Sequence, residues 1–144
     1  MRRERGAMSG SGRYGPPMSY TIRNLRDSED MAPKFGFDAV QEARFPWRDL
    51  EAKETGLAYH RVKPGQRGLA HRHDNAEEIY VVVGGSGRVK LDDKVEEIGT
   101  LDAIRVAPAV ARAFEGGTDG LELLAFGTHH DSDGEILTGD FWDD

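Results

Sequence analysis

The sequence predicts an all-β fold, an antiparallel sandwich or barrel, and three observations carry that prediction. From Gly56 onward, short β-prone runs recur at intervals of about eight to twelve residues, separated by turn-forming residues. No helix of ten residues fits between them, which excludes a parallel sheet with crossover helices. A chain of 144 residues holds one domain with its own core and is too short for two ordinary ones.

Taken in order, residues 1–17 form a Gly-, Ser- and Pro-rich leader in which Arg2, Arg3, Arg5 and Arg13 face a single Glu4. Such a segment buries too little to order, and it reads as a disordered basic arm, with Met18 as an alternative start. Residues 18–56 read as a first strand and an irregular cover. Tyr20–Leu25 alternates loosely, and Asp27, Ser28, Glu29 and Asp30 offer capping chemistry for one helical turn. Phe35, Phe37, Phe45 and Trp47 show no sustained period, and Pro46 interrupts any helix there, so 35–55 is expected to be irregular.

Residues 57–127 are the expected barrel. Its runs are Leu57–Lys63, Leu69–His73, Glu78–Val83, Gly87–Asp92, Val95–Ile98, Ala103–Val106, Ala111–Glu115 and Leu121–Gly127. Pro64-Gly65, Gly84-Gly85, Asp92-Asp93, Pro108 and Gly116-Gly117 read as the breaks. Residues 128–144 form an acidic tail with the apolar pairs Ile136-Leu137 and Phe141-Trp142, expected to pack on the barrel or on a second subunit.

Composition removes several function classes. Without cysteine there is no disulfide, thiolate zinc site or cysteine nucleophile, so any metal must be held by imidazole and carboxylate. No serine lies in a G-x-S-x-G elbow. The net charge of −7 averages a leader of +3 with a body of −10, which repels phosphate backbones and argues against nucleic acid as a partner. The longest apolar run, Ile79 to Val83, is only a strand's worth, so no membrane partner and a cytoplasmic location are expected.

The chemistry concentrates in His71-Arg72-His73-Asp74-Asn75-Ala76-Glu77-Glu78. On a strand, His71 and His73 face the same side while Arg72 faces away. After a four-residue connection, Glu78, Tyr80 and Val82 share one face of the next run. If the two segments are neighbours, two imidazoles and a carboxylate form a facial triad with open positions on the ion, suited to Fe, Mn, Ni, Cu or Zn as the divalent metal.

The wider frame runs Gly65, five residues, His71-x-His73, four residues, Glu78, six residues, Gly85, and then Ser86-Gly87-Arg88-Val89. It resembles the first signature of the cupin family over roughly residues 57–127. The resemblance implies a double-stranded β-helix, a jelly-roll barrel whose mouth holds a metal, with His71, His73 and Glu78 as ligands and Glu77 pointing outward. It also implies a homodimer, which agrees with the exposed sheet faces of small jelly rolls.

The second cupin signature would supply a fourth ligand, a histidine, within Val106-Ala107-Pro108-Ala109-Val110-Ala111-Arg112-Ala113-Phe114. Arg112 stands in the histidine's place and Ala109 in that of the turn glycine. A guanidinium offers no lone pair, so Arg112 is expected to grip an anionic ligand, to pair with Glu77 or Glu115, or to lie at the rim. Tyr80 and Phe114 are expected to line the cavity as substrate-binding residues, whereas His60, without a spaced partner, reads as structural or solvated. Two functions follow. One is a metal-dependent cupin acting on a small molecule, an anion where Arg112 binds it, by oxygenation, isomerisation or decarboxylation. The other is a metal-poor binding module with Arg112 as the anion anchor.

Overall fold

The computed structural model describes residues 19–144. The readings placed on the leader 1–17 and on Met18 lie outside these residues. Among the described residues, eight antiparallel strands build the fold: β1 (Gln41–Arg44), β2 (Thr55–Val62), β3 (His71–His73), β4 (Glu78–Leu91), β5 (Lys94–Gly99), β6 (Ala103–Val106), β7 (Arg112–Thr128) and β8 (Gly134–Ile136). They form one curled sheet in which β7 pairs with β2, β3 and β4, while β4 also takes β5 and β6. This is the antiparallel barrel expected from the strand spacing, in the jelly-roll form that the family resemblance implies, with helix confined to short N-terminal turns.

The N-terminal region departs from expectation in two ways. Tyr20–Leu25 forms no strand. The chain turns through a 3-10 segment, Leu25–Asp27, with the Asn24 side chain accepting from the Arg26 amide at 2.9 Å. A four-residue helix α1 (Ala32–Phe35) follows, ended by Gly36 at φ 80°. Within the stretch read as irregular, β1 pairs with β2 from Gln41↔Val62 to Arg44↔Tyr59. Its inward residues are Gln41 and Ala43, one polar and one small, so its alternation carries no apolar signal in the sequence.

Two of the expected breaks are not turns. Gly84-Gly85 lies inside β4 and Gly116-Gly117 inside β7, which run continuously for 14 and 17 residues. The register of this pair shifts between Val82 and Gly84 and again between Gly85 and Gly87. A Cβ on Gly85, which sits at φ 72°, would stand 2.0 Å from the Gly120 carbonyl oxygen, and one on Gly87 1.9 Å from that of Glu115. These glycines let two long strands bend and cross closely, a sheet role that composition does not distinguish from a turn.

The core gathers the inward faces of the paired strands. Tyr80, Val82 and Val89 of β4 meet Phe114, Leu121, Leu123 and Ala125 of β7, closed by Val62 and Val106. The alternation that buries Tyr80 and Val82 also turns Glu78 inward, so the same pleat that makes the core delivers a carboxylate to the cavity.

The acidic C-terminal segment is strapped to the barrel. β8 pairs with β3, and beyond it Leu137, Phe141 and Trp142 pack on Ala70 and Ala113. The guanidinium groups of Arg67 and Arg88 lie over the Trp142 ring, 4.6 and 5.3 Å from its centroid. Glu115 holds both arginines, at 2.6 and 2.8 Å, and Asp144 bridges the same pair. Lys90, 4% exposed, binds the Phe141 carbonyl and the Asp143 carboxylate. Tail acids therefore neutralise barrel bases, which is why the acidic run can lie against the sheet.

Candidate metal centre

Strands β3 and β4 bring His71, His73 and Glu78 together, with their ligand atoms all within 4.8 Å of one another. Glu78 Oε1 lies 2.9 Å from His73 Nε2 and 3.6 Å from His71 Nε2. Two donors bound to one ion at about 2.1 Å stand roughly 3.0 to 3.4 Å apart for octahedral to tetrahedral angles. The two separations from Glu78 lie just below and just above that range, and two imidazoles with one carboxylate are a donor set that suits a divalent ion. Glu77 faces outward, 3.4 Å from Arg105, and takes no part.

The triad is supported from behind. Tyr80, 2% exposed, donates its hydroxyl to Glu78 Oε1 at 2.6 Å and stacks at a tilt on Phe114, with ring centroids 4.8 Å apart. Burial and the Glu78 charge push the Tyr80 hydroxyl well above its ordinary value, so it remains a donor. Burial opposes ionisation of Glu78, but the hydrogen bonds of His71, His73 and Tyr80 outweigh it and hold the carboxyl well below the usual range. His73 is raised, chiefly by its hydrogen bond to Glu78.

Asp133, read as part of a tail, holds the ligand loop. Its Oδ1 accepts from the Asn75 amide at 2.8 Å and side chain at 3.0 Å, and its Oδ2 accepts from the Ala76 amide at 3.0 Å. The same Oδ2 lies 3.2 Å from His73 Nδ1, an ion-pair contact outside hydrogen-bond geometry, so a carboxylate stands behind the imidazole whose Nε2 faces Glu78. Sequence reasoning missed it because 58 residues separate Asp133 from Asn75. Asp133→Ala is expected to weaken divalent metal binding about 10–100-fold while the barrel stays folded. Isothermal titration with zinc checks this, and an unchanged affinity would remove Asp133 from the site.

Arg112 departs from two of the positions expected of it, the pairing with an acid and the place at the rim. It is fully buried, makes one long bond to the Ala107 carbonyl at 3.4 Å, and leaves Nε and Nη1 without partners. It pairs with neither Glu77 nor Glu115, it is not at the rim, and it does not line the cavity beside the triad. Ala109 occupies the left-handed region at φ 71° and donates its amide to the His73 carbonyl at 2.6 Å, fixing the end of β3.

The cavity, about 270 Å³, opens beside the triad and has Tyr80, Phe114 and His60 in its wall. Burial, with the His71 charge as a second cause, lowers His60 from 6.5 to about 4. The unfolded chain therefore takes up this proton at a pH where the fold refuses it. The metal-free protein should lose on the order of 3 kcal/mol as pH falls from 6.5 to 4. Urea midpoints at pH 6.5 and 4.5 read the effect, and His60→Gln should flatten it; an identical slope in the variant would contradict the assignment.

An antiparallel jelly roll carrying two imidazoles at alternate positions of one strand and a carboxylate at its cavity defines a class of small barrels with a candidate metal site. Residues 58–126 match the family model of the cupin domain, and this stretch of the chain is a cupin domain. No curated protein matches it by sequence. Among solved structures it is similar to oxalate decarboxylase from Bacillus subtilis, at 20% identity and TM-score 0.66 over 81% of this chain and 33% of that one. It also resembles the polyketide cyclase RemF from Streptomyces resistomycificus, at 17% identity and TM-score 0.68 over 83% and 87% of the two chains. A cupin protein from Bacteroides fragilis aligns at 19% identity and TM-score 0.62 over 86% and 92%. The chain thus spans about a third of the decarboxylase, and at these identities the likeness is one of fold. No helix among the described residues is long and apolar enough to cross a membrane.

Proposed function

We propose that this protein is a metal-dependent cupin that acts on a small molecule, with His71, His73 and Glu78 holding one divalent ion. The observation that carries the proposal is the convergence of these three donors beside a cavity. A bound ion would supply Lewis-acid or redox chemistry there. Tyr80 keeps the Glu78 carboxylate oriented and ionised, Asp133 steadies His73, and Phe114 shields the site from water. Oxygenation, isomerisation and decarboxylation are the reaction types within reach of such a centre, and we place the protein in the cytoplasm as a homodimer. Metal content of tag-free protein tests the proposal. Wild type should retain near one equivalent and His71→Ala almost none; equal content in the two would refute the triad.

A second reading, a metal-poor module that binds an anion, is favoured by the partnerless Nε and Nη1 of Arg112. The two readings separate on Arg112→Met. A buried cation lacking partners is costly, so on the metal-site reading the variant melts at or above wild type, by up to about 1–4 kcal/mol of added stability. Formate then shifts both proteins equally. A formate-induced rise in Tm seen only in wild type would support the anion module instead.

A further inference from the structure

The cavity wall says more about its ligand than the triad does. Four phenylalanines, Phe35, Phe37, Phe45 and Phe114, stand around it with Leu69 and Leu123, and neither lysine nor arginine lines it. At about 30 Å³ per water, 270 Å³ holds roughly nine water-sized groups, the bulk of one ring with its substituents. The Tyr80 hydroxyl is committed to Glu78 and the Gln41 amide to the protein, which leaves one polar group on the wall apart from the triad. That group is His60.

The tautomer of His60 is fixed by a short relay. The Leu69 amide donates to Gln41 Oε1 at 3.1 Å, which settles the orientation of the buried Gln41 amide. Its nitrogen, Nε2, therefore faces His60 Nδ1, 3.4 Å away, and donates to it. Gly68 leaves room for this amide, since a Cβ there would lie 2.4 Å from Gln41 Oε1 and displace it. With Nδ1 accepting, the ring proton of neutral His60 is on Nε2. No other group among the described residues hydrogen-bonds to the His60 ring, so this N–H is left for a ligand. Phe45 packs at right angles against the same ring, with centroids 5.9 Å apart, and limits its rotation.

We propose that the cavity takes an uncharged, ring-bearing molecule with a carbonyl-type oxygen, and that His60 is a specificity-determining residue whose Nε2–H donates to that oxygen. The inference rests on the cavity being the small-molecule site of the proposed function and is independent of the metal. An apolar wall with one aimed donor rewards a ligand that fills it and supplies one acceptor, because a ligand lacking the acceptor leaves a desolvated N–H unpaired.

The test uses acetophenone, its carbonyl-free analogue ethylbenzene, and benzoate, titrated into chelator-treated protein and followed by amide NMR shifts. Acetophenone should bind about five- to tenfold more tightly than ethylbenzene, and benzoate more weakly than acetophenone. In His60→Leu the ratio should fall to near one with ethylbenzene affinity kept within twofold. Gln41→Leu, which frees the ring, should shrink the ratio as well, so either variant suffices if the other fails to fold. Long-range nitrogen spectra of the wild type should show His60 protonated at Nε2 and bare at Nδ1. Absence of saturable binding, preference for benzoate, a ratio that persists in the variants, or the opposite tautomer would each overturn the proposal. Parallel zinc titrations keep the readings apart, because a protein that binds no zinc but preserves the ratio overturns the metal reading alone.

Discussion

Glu78→Gln is expected to abolish metal retention, with a loss greater than the roughly 10–100-fold that accompanies removal of a supporting partner. The carboxylate is the one anionic donor of the triad, and its low proton affinity means that metal binding need not displace a proton from it. A glutamine keeps the shape and the acceptor oxygen for Tyr80 but brings no charge to a dication. The change should also be visible without metal. The Glu78 hydrogen bond is the main cause of the raised His73, so the stability that His73 contributes is present below its ordinary 6.5 and is lost as pH climbs through the raised value. Glu78→Gln should shift the titration of the His73 ring protons to lower pH by NMR. For the same reason, metal affinity in the wild type should fall as pH drops through the His73 transition, since the ion must displace the Nε2 proton. Metal retained by the glutamine variant at wild-type affinity would be incompatible with the account.

Trp142→Ala should be the most damaging single change outside the site. Trp142 is 6% exposed, packs on Ala70 and Ala113, and carries two arginines over its ring. Removing a buried indole costs about 3–5 kcal/mol, and for a chain of this size Tm should fall by about 10 °C. The segment thus loosened carries β8 and Asp133, so zinc affinity of the folded variant should weaken along with stability. A melting temperature within 2 °C of wild type would mean that the strap contributes little.

The parts of this architecture written in local pattern were legible in the sequence. The alternation in Glu78-Ile79-Tyr80-Val81-Val82 gave the inward face of β4, and the two-residue spacing of His71 and His73 placed both imidazoles on one side of β3. What the sequence hid depends on distant partners. β1 exists because β2 hydrogen-bonds to it, since its inward Gln41 has no apolar signature, and that same glutamine then orients His60. Asp133 sits among six tail acids that composition cannot tell apart, and only the pairing of β8 with β3 brings it behind His73. The glycines of β4 and β7 read as turns in the sequence because close strand approach and chain reversal draw on the same residue type.

Arg112 shows the opposite case, a local departure from the cupin pattern that was plain in the sequence and whose placement was not. The expected alternatives all gave the guanidinium a partner or solvent, because a buried charge without either is expensive. The fold instead encloses it directly across the strand pair from His71. Its charge, acting on His73 against Glu78 and Asp133, sets it as part of the electrostatic balance behind the triad.

The most direct test of the account is anomalous diffraction at the zinc absorption edge from crystals of the zinc-loaded protein. One dominant peak should appear within about 2.0–2.2 Å of His71 Nε2, His73 Nε2 and a Glu78 carboxylate oxygen. A peak confined to the exposed acids of the C-terminal segment, with the triad still joined by its own hydrogen bonds, would contradict the central claim.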